Sequence, residues 1–246
     1  MFVAATLPWS ALQSAQQFKR LAEAVGSRPS WSPATPLLKS KDGPRLQNFV
    51  PVETVAHALP DAGGRNIFSE TSVGTWKPEL LHAVAGLLQT MGESMLVFAP
   101  HANSWRRFVA QSYAPLAPTW GVNNRSVALR VPEGDVKARR IEHRPAGVDT
   151  NPHLVAATVL AGILKGLNEK LDPGPETTGN GYQAPTDISM PADWRSAIEA
   201  AKASYFLKEA LGSDMHRVYC AIKQAEYLRV AKAVSELDYH LYLHEV

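Results

Sequence analysis

The stretch NNRSVALRVPEGDVKARRIEHR, Asn123 to Arg144, decides how this chain is read. Its first half alternates. Val127, Leu129 and Val131 fall on one face of a strand, and Ser126, Ala128 and Arg130 on the other. Pro132-Glu133-Gly134-Asp135 has turn chemistry, and Lys137–Arg144 runs out again as a second strand. Side chains on a strand alternate with period two, so Arg140, Glu142 and Arg144 share one face. Arg139, Ile141 and His143 take the other. The pattern predicts an antiparallel hairpin with a charged stripe. Guanidinium forks bind carboxylate and phosphate bidentately. A carboxylate among them can hold a divalent cation that the same phosphates touch. Alone, the stripe also reads as a surface ion-pair ladder, each exposed pair contributing only ~0–1 kcal/mol.

The charge around this hairpin is concentrated. Between His101 and Thr150 there are eight Lys/Arg (Arg106, Arg107, Arg125, Arg130, Lys137, Arg139, Arg140, Arg144) against four acids (Glu133, Asp135, Glu142, Asp149). That surplus exceeds the whole-chain charge of +2, so the remainder is slightly acidic. A local patch suits a small anionic ligand. It does not suit a long polyanion, and no nucleic-acid partner is expected. Apolar content of 45% and charged content of 20% over 246 residues are those of a globular chain with a sizeable core.

Cys220 is the only cysteine, which excludes an intramolecular disulfide and a thiolate metal cluster and points to a cytoplasmic location. The start, MFVAATLPWSAL, has no basic region and no sustained apolar run, so no signal peptide is expected. No apolar run approaches the ~18 residues that span a bilayer, so no membrane partner is expected either.

Helices are expected on both sides of the hairpin. Ala11–Val25 has near-helical apolar spacing. Gly26–Pro51 is rich in Pro, Ser and basic residues and has no period. Leu59–Asn66 reads as a turn. Pro78 opens a helix through Met91 with Leu80, Leu81, Val84, Leu87 and Leu88 on its buried stripe. Met95–Ala99 reads as a short apolar strand, and Asn103–Phe108 as an irregular or short helical piece. Asp149-Thr150-Asn151-Pro152 is a capped helix start, and that helix runs to about Leu171. Helices over 191–211 and 214–239 follow, with Gly212 ending the first and Ser213 capping the second. The aromatic tail YHLYLHEV is expected to pack.

NSWRRF (Asn103–Phe108), NNRSVALRVP (Asn123–Pro132), ARRIEHR (Ala138–Arg144) and TNPHLVAATVLAGILKGL (Thr150–Leu167) resemble the C-terminal half of the glutamine synthetase catalytic domain. GGRNIF (Gly63–Phe68) and LLHAVAGLL (Leu80–Leu88) are similar to the segment just before it. The spacing is specific: eighteen residues from Arg107 to Arg125, five from Arg125 to Arg130, then the Arg140–Glu142–Arg144 triplet. Thr119-Trp120-Gly121 is similar to the branch that joins glutamate to amines, polyamines among them.

The resemblance implies an α+β fold, a curved antiparallel sheet backed by helices. It implies ATP-dependent ligation of glutamate to ammonia or an amine through a γ-glutamyl phosphate, with Mg²⁺ or Mn²⁺. It implies that Arg107 and Arg144 hold glutamate, that Arg125 and Arg130 neutralise the transferring phosphoryl group, that Arg140 contacts nucleotide phosphates, and that Glu142 is a metal ligand. It also implies a homo-oligomer completed by a neighbour's N-terminal domain. Such chemistry rests on positioning and on charge neutralisation, which is what arginines supply.

Two stretches depart from the family. The resemblance covers roughly Ala58–Val246, and residues 1–57 form an atypical segment, a helix plus an irregular stretch. Residues 1–60 contain three acids, Glu23, Asp42 and Glu53, without paired spacing, and a lone carboxylate does not hold a cation that wants six or so oxygens. Where the family carries an HxHxS element this chain reads Thr54-Val55-Ala56-His57-Ala58, with His57 at the spacer position. FKRLAEAVG (Phe18–Gly26) resembles the preceding helix, whereas Ser27–Val55 resembles nothing there, as expected of a truncated product with an out-of-frame patch. Three readings stand at this point: a glutamate–amine ligase impaired by truncation, a non-catalytic remnant or regulatory subunit that keeps an arginine-rich anion pocket, and an unrelated anion- or nucleotide-binding module.

Overall fold

The computed structural model describes residues 39–40, 43–44, 54–57, 65–69, 76–108, 117–133, 139–147, 149–184 and 189–243. The helix expected over Ala11–Val25, most of Gly26–Pro51, residues 59–64 and the hairpin tip at 134–138 lie outside them. Within the aperiodic stretch two short strands pair antiparallel, β1 (Lys39–Ser40) with β2 (Gly43–Pro44).

The second sheet carries the charged stripe. Its strands are β3 (Thr54–His57), β4 (Trp120–Val122), β5 (Leu129–Val131) and β6 (Ile141–His143), in the spatial order β3-β6-β5-β4. β5 and β6 pair antiparallel with Leu129 opposite His143 and Arg130 opposite Glu142. The hairpin reading is correct. The sheet is mixed, however: β4 runs parallel to β5, Trp120 beside Leu129. The strand expected from Ser126 begins only at Leu129. Asn124 is the reason, since its Oδ1 accepts from Ser126 N (2.9 Å) and Ser126 Oγ (2.6 Å) and curls the chain before the ladder starts. Val127, Leu129 and Val131 are all fully buried, as the alternation predicts.

Helix α1 (Pro78–Gln89) starts at proline, whose missing N–H costs nothing at a first turn. It ends at Thr90, whose hydroxyl donates to Gly86 O at 2.8 Å. The chain then bends by 72° into α2 (Met91–Phe98). This corrects the strand expected at Met95–Ala99. A short continuous apolar run has no period to tell buried strand from buried helix, and Met91–Phe98 is buried nearly all round. No single helix among the described residues is long and apolar enough to cross a membrane.

Helix α4 (Pro152–Glu169) follows α3 (Ala102–Trp105) and the sheet. Asn151 caps α4 by accepting from His153 N and Leu154 N, with Pro152 in the first turn, as its sequence predicts. Lys170 closes it in the left-handed conformation, φ 53°. α4 lies against α1 so closely that a Cβ on Gly166 would sit 1.9 Å from His82 O, and one on Gly86 2.1 Å from Gly162 O. Only glycine allows backbones to approach to that distance. Val155, Val159 and Ile163 project from α4 into the core with Leu80, Val84 and Met95, each such buried side chain contributing ~1.5–3 kcal/mol.

The helix expected over 191–211 is two: α5 (Trp194–Ala203) and α6 (Tyr205–Leu211). Ser204 breaks it, donating to Glu93 Oε2 at 2.5 Å and accepting from Leu207 N at 2.8 Å, so a contact with α2 sets the break. Gly212, φ 82°, ends α6 and leads into α7 (Ser213–Lys232), so Ser213 lies inside the helix it was expected to cap. Ser235 starts a separate α8 (Glu236–Tyr242). The tail does not pack: Tyr239, Leu241, Tyr242 and Leu243 are all more than half exposed.

Candidate functional site

Strand pairing turns the charged stripe into one cluster. Arg130 on β5 stands opposite Glu142 on β6, and its Nη1 donates to Glu142 Oε2 at 2.7 Å. Arg140, two residues before Glu142 and therefore on the same face, donates from Nη2 to Oε1 at 3.2 Å. Each carboxylate oxygen thus meets one guanidinium. Glu142 is buried (5% of its side chain exposed), while Arg140 keeps 40% exposed. Asn123 braces the other end of Arg130, accepting from its Nη2 at 3.3 Å and from Glu133 N at 3.0 Å. Arg144 is buried at the end of β6, and its backbone N donates to Ala128 O at 3.0 Å.

The opposite face is buried too. Arg139 donates to Pro132 O at 2.8 Å and lies 4.6 Å from the Trp76 ring centroid. His143 packs its ring against Phe98 at 4.4 Å. That agrees with a structural rather than a site role for His143.

Arg107 comes from a different part of the chain. It follows α3, and its Nη2 donates to Pro145 O and, at 3.4 Å, to Phe98 O. Pro145 directly follows Arg144, so the two arginines with an expected glutamate-binding role are tied through the main chain. Among the described residues Arg107 Nε and Nη1 are buried without a hydrogen-bond partner. Burial lowers its pKa to about 10, against the raising influence of Asp149, and it stays protonated at neutral pH. Asp149 itself accepts from Ser104 Oγ at 2.6 Å and faces His101 Nδ1 at 3.5 Å. Its burial favours the neutral acid, but hydrogen bonds from His101, Ser104 and its own backbone prevail and hold the carboxyl below its usual range.

Arg125 stands apart. It is exposed in the turn before β5. Beside it, the Trp120-Gly121 pair seats the segment after α4. Trp120 O accepts from Thr177 N at 2.8 Å and its indole donates to Gly174 O at 3.2 Å. Asn124 Nδ2 donates to Thr177 O (3.0 Å) and Gly179 O (2.8 Å). Val122, Asn124, Glu176, Thr177, Thr178 and Gly179 line a shallow depression there.

Most of the chain matches a known family. The family model described as the catalytic domain of glutamine synthetase aligns with residues 56–242. The chain belongs to the glutamine synthetase family. It is 38% identical over 175 residues to a gamma-glutamylputrescine synthetase of Escherichia coli, an alignment covering 71% of this chain and 37% of that protein. It is 35% identical over 182 residues to a gamma-glutamylethanolamide synthetase of Streptomyces coelicolor, covering 74% of this chain and 38% of that one. A solved structure titled Apo GmaS without ligand superposes with a TM-score of 0.65 at 25% identity, over 75% of this chain and 42% of its own. The chain thus spans well under half the length of these relatives. The α+β architecture agrees with that superposition, the sheet being mixed where an antiparallel one is expected.

Of the residues singled out from sequence, the structure joins Arg130, Arg140 and Glu142 directly and links Arg107 to the chain beside Arg144. It leaves Arg125 at the surface. A divalent cation fits poorly. Both oxygens of Glu142 are engaged by arginines, and among the described residues no group of three His, Cys, Asp or Glu side chains could hold a metal ion. Asn123, Ser104 and Asp149 also belong to the site, and no sequence pattern marks them. In the sequence Asp149 reads as part of the helix start, but the cap is Asn151, which frees Asp149 to turn back toward Ser104.

Proposed function

We propose that this chain carries the anion-binding side of an ATP-dependent ligase that joins glutamate to an amine or ammonia through a γ-glutamyl phosphate. The observation that carries this reading is the Arg130–Glu142–Arg140 cluster, with Arg107 bonded to the Pro145 carbonyl, next to Arg144, beyond its end. In this reading Arg107 and Arg144 hold glutamate. Arg107 suits the role because two of its buried nitrogens have no acceptor among the described residues, and a carboxylate would supply one. Arg130 and Arg125 neutralise charge on the transferring phosphoryl group, and the half-exposed Arg140 meets nucleotide phosphates. Positioned guanidinium groups of this kind are each worth on the order of 10²–10³ in rate.

The acceptor in this reading is an amine, polyamines included. Two similar proteins named for putrescine and ethanolamide conjugation support that choice, as does the Thr119-Trp120-Gly121 motif. No step is assigned to a metal, because Glu142 contributes one carboxylate already shared by two arginines. It joins a Mg²⁺ or Mn²⁺ site only with oxygen ligands from outside the described residues.

A second reading, a non-catalytic remnant or regulatory subunit that retains an arginine-rich anion or nucleotide pocket, is favoured by the engagement of both Glu142 oxygens by arginines. One assay separates the two. Purified chain is mixed with ATP, Mg²⁺, glutamate and putrescine or ammonia, and phosphate release is followed. Amine-dependent turnover that Arg144→Ala abolishes supports the ligase. Glutamate or ATP binding without turnover, lost in Arg144→Ala, supports the second reading. Binding undisturbed in that variant removes both.

A further inference from the structure

The corner around Gly147 holds two opposite charges that no hydrogen bond joins. A Cβ on Gly147 would lie 2.6 Å from Asp149 Oδ1 and 3.3 Å from Arg107 Nε. The carboxylate oxygen and the guanidinium nitrogen therefore converge on the space left by the missing side chain. The rest of the corner is fixed. Gly147 N and Arg107 Nη2 both donate to Phe98 O, the last carbonyl of α2. Thr150 Oγ1 donates to Gly147 O at 2.8 Å. Asp149 Oδ2 is spent on Ser104, whose hydroxyl in turn accepts from His101 N at 3.0 Å. Only Oδ1 is left to face the arginine. His101 also faces this carboxylate, and the Tyr219 phenol senses its charge.

We propose that Asp149 is the positioning residue for Arg107, a fixed counter-charge that Ser104 and His101 aim and that Gly147 admits. Two consequences follow from the geometry. A half-buried guanidinium with orphaned N–H groups keeps its charge and direction only if a nearby carboxylate offsets its lost hydration. And the carboxylate must stay just out of hydrogen-bond reach, or it would occupy the nitrogens that a substrate carboxylate is to meet. Pinning Oδ2 to Ser104 does that. The proposal deepens the reading of Arg107 as a glutamate-binding residue and rests on it for its functional meaning, although the pairing itself does not.

The test uses the whole chain and two readouts. The first is the Arg107 Nε–H signal in ¹H–¹⁵N NMR, assigned by its loss in Arg107→Lys. Asp149→Asn, which keeps shape and removes charge, is expected to move that signal and speed its exchange with solvent. Ser104→Ala, which only unpins Oδ2, is expected to do so to a smaller extent, and it serves if Asp149→Asn fails to fold. The second readout is glutamate affinity by calorimetry, expected to fall roughly tenfold in Asp149→Asn. An unmoved Nε–H signal in a folded Asp149→Asn overturns the proposal. A moved signal in a chain that binds no glutamate upholds the pairing and removes the functional reading of Arg107. Glutamate binding unchanged in Asp149→Asn also overturns the positioning role.

Discussion

Two arginine clusters sit on this chain, and they spend their charge differently. On the sheet, Arg130 and Arg140 close on both oxygens of Glu142 at 2.7 and 3.2 Å. At the corner, Arg107 donates only to backbone carbonyls, and its counter-charge Asp149 is bonded elsewhere. In the first cluster the charges are neutralised, although Arg130 Nε is buried without a hydrogen-bond partner among the described residues, and it should serve stability as much as binding. The second keeps buried donors without acceptors among the described residues, which costs stability and leaves capacity for an anion. Neutralised pairs hold a sheet face rigid, and unsatisfied ones await a ligand.

The largest effect expected is on the neutralised cluster. Glu142→Ala strands two guanidinium groups side by side, one of them largely buried, and should cost about 3 kcal/mol, read as a lower urea midpoint. A change below ~1 kcal/mol would mean that the cluster is a screened surface ladder after all. Arg107→Met should behave in the opposite way. It removes donors that are mostly unpaired, so stability should change by no more than ~1 kcal/mol while glutamate binding disappears from calorimetry. If it unfolds the chain, the two clusters do not differ as described.

A pH series sharpens the contrast. The folded carboxyl of Asp149 titrates below its ordinary 3.8, so its contribution is fully present above about pH 4 and is lost as pH falls through the depressed value. Asp149→Asn should therefore lower stability across the neutral region, with the difference from the parent chain shrinking as pH falls through the depressed value, which flattens part of the acid limb of a stability profile measured by urea unfolding. The smallest effect belongs to Arg125. It is exposed, so Arg125→Ala should shift the melting temperature by less than ~2 °C, and any large loss would be confined to phosphate release.

Much of this was legible in the order of residues. Pro78, Asn151-Pro152 and Gly212 announced helix boundaries because each acts through its own backbone or its nearest turn. Period-two alternation put Arg140 with Glu142 and sent His143 to the other face. Reading failed where the deciding partner was distant. Met95–Ala99 has no period, so only its burial in a bent helix pair shows what it is. Nothing in Ala203-Ser204-Tyr205 announces a break, which a contact with Glu93 on α2 makes. The parallel pairing of β4 could not be read from a segment whose direction is set by the Asn123–Ala128 turn. Asp149 was hidden by its neighbour Asn151, the better-placed cap.

The sequence by itself determined which residues could bind anions, and which of them share a strand face, because alternation is a local property of the extended chain. Tertiary structure alone decided which charges are already spent. The β5–β6 register put Arg130 across from Glu142, and the folding of α3 against the strand end left Arg107 close to a carboxylate that another residue holds. Pairing energy depends on distance and burial, and both are set by segments far apart in the chain.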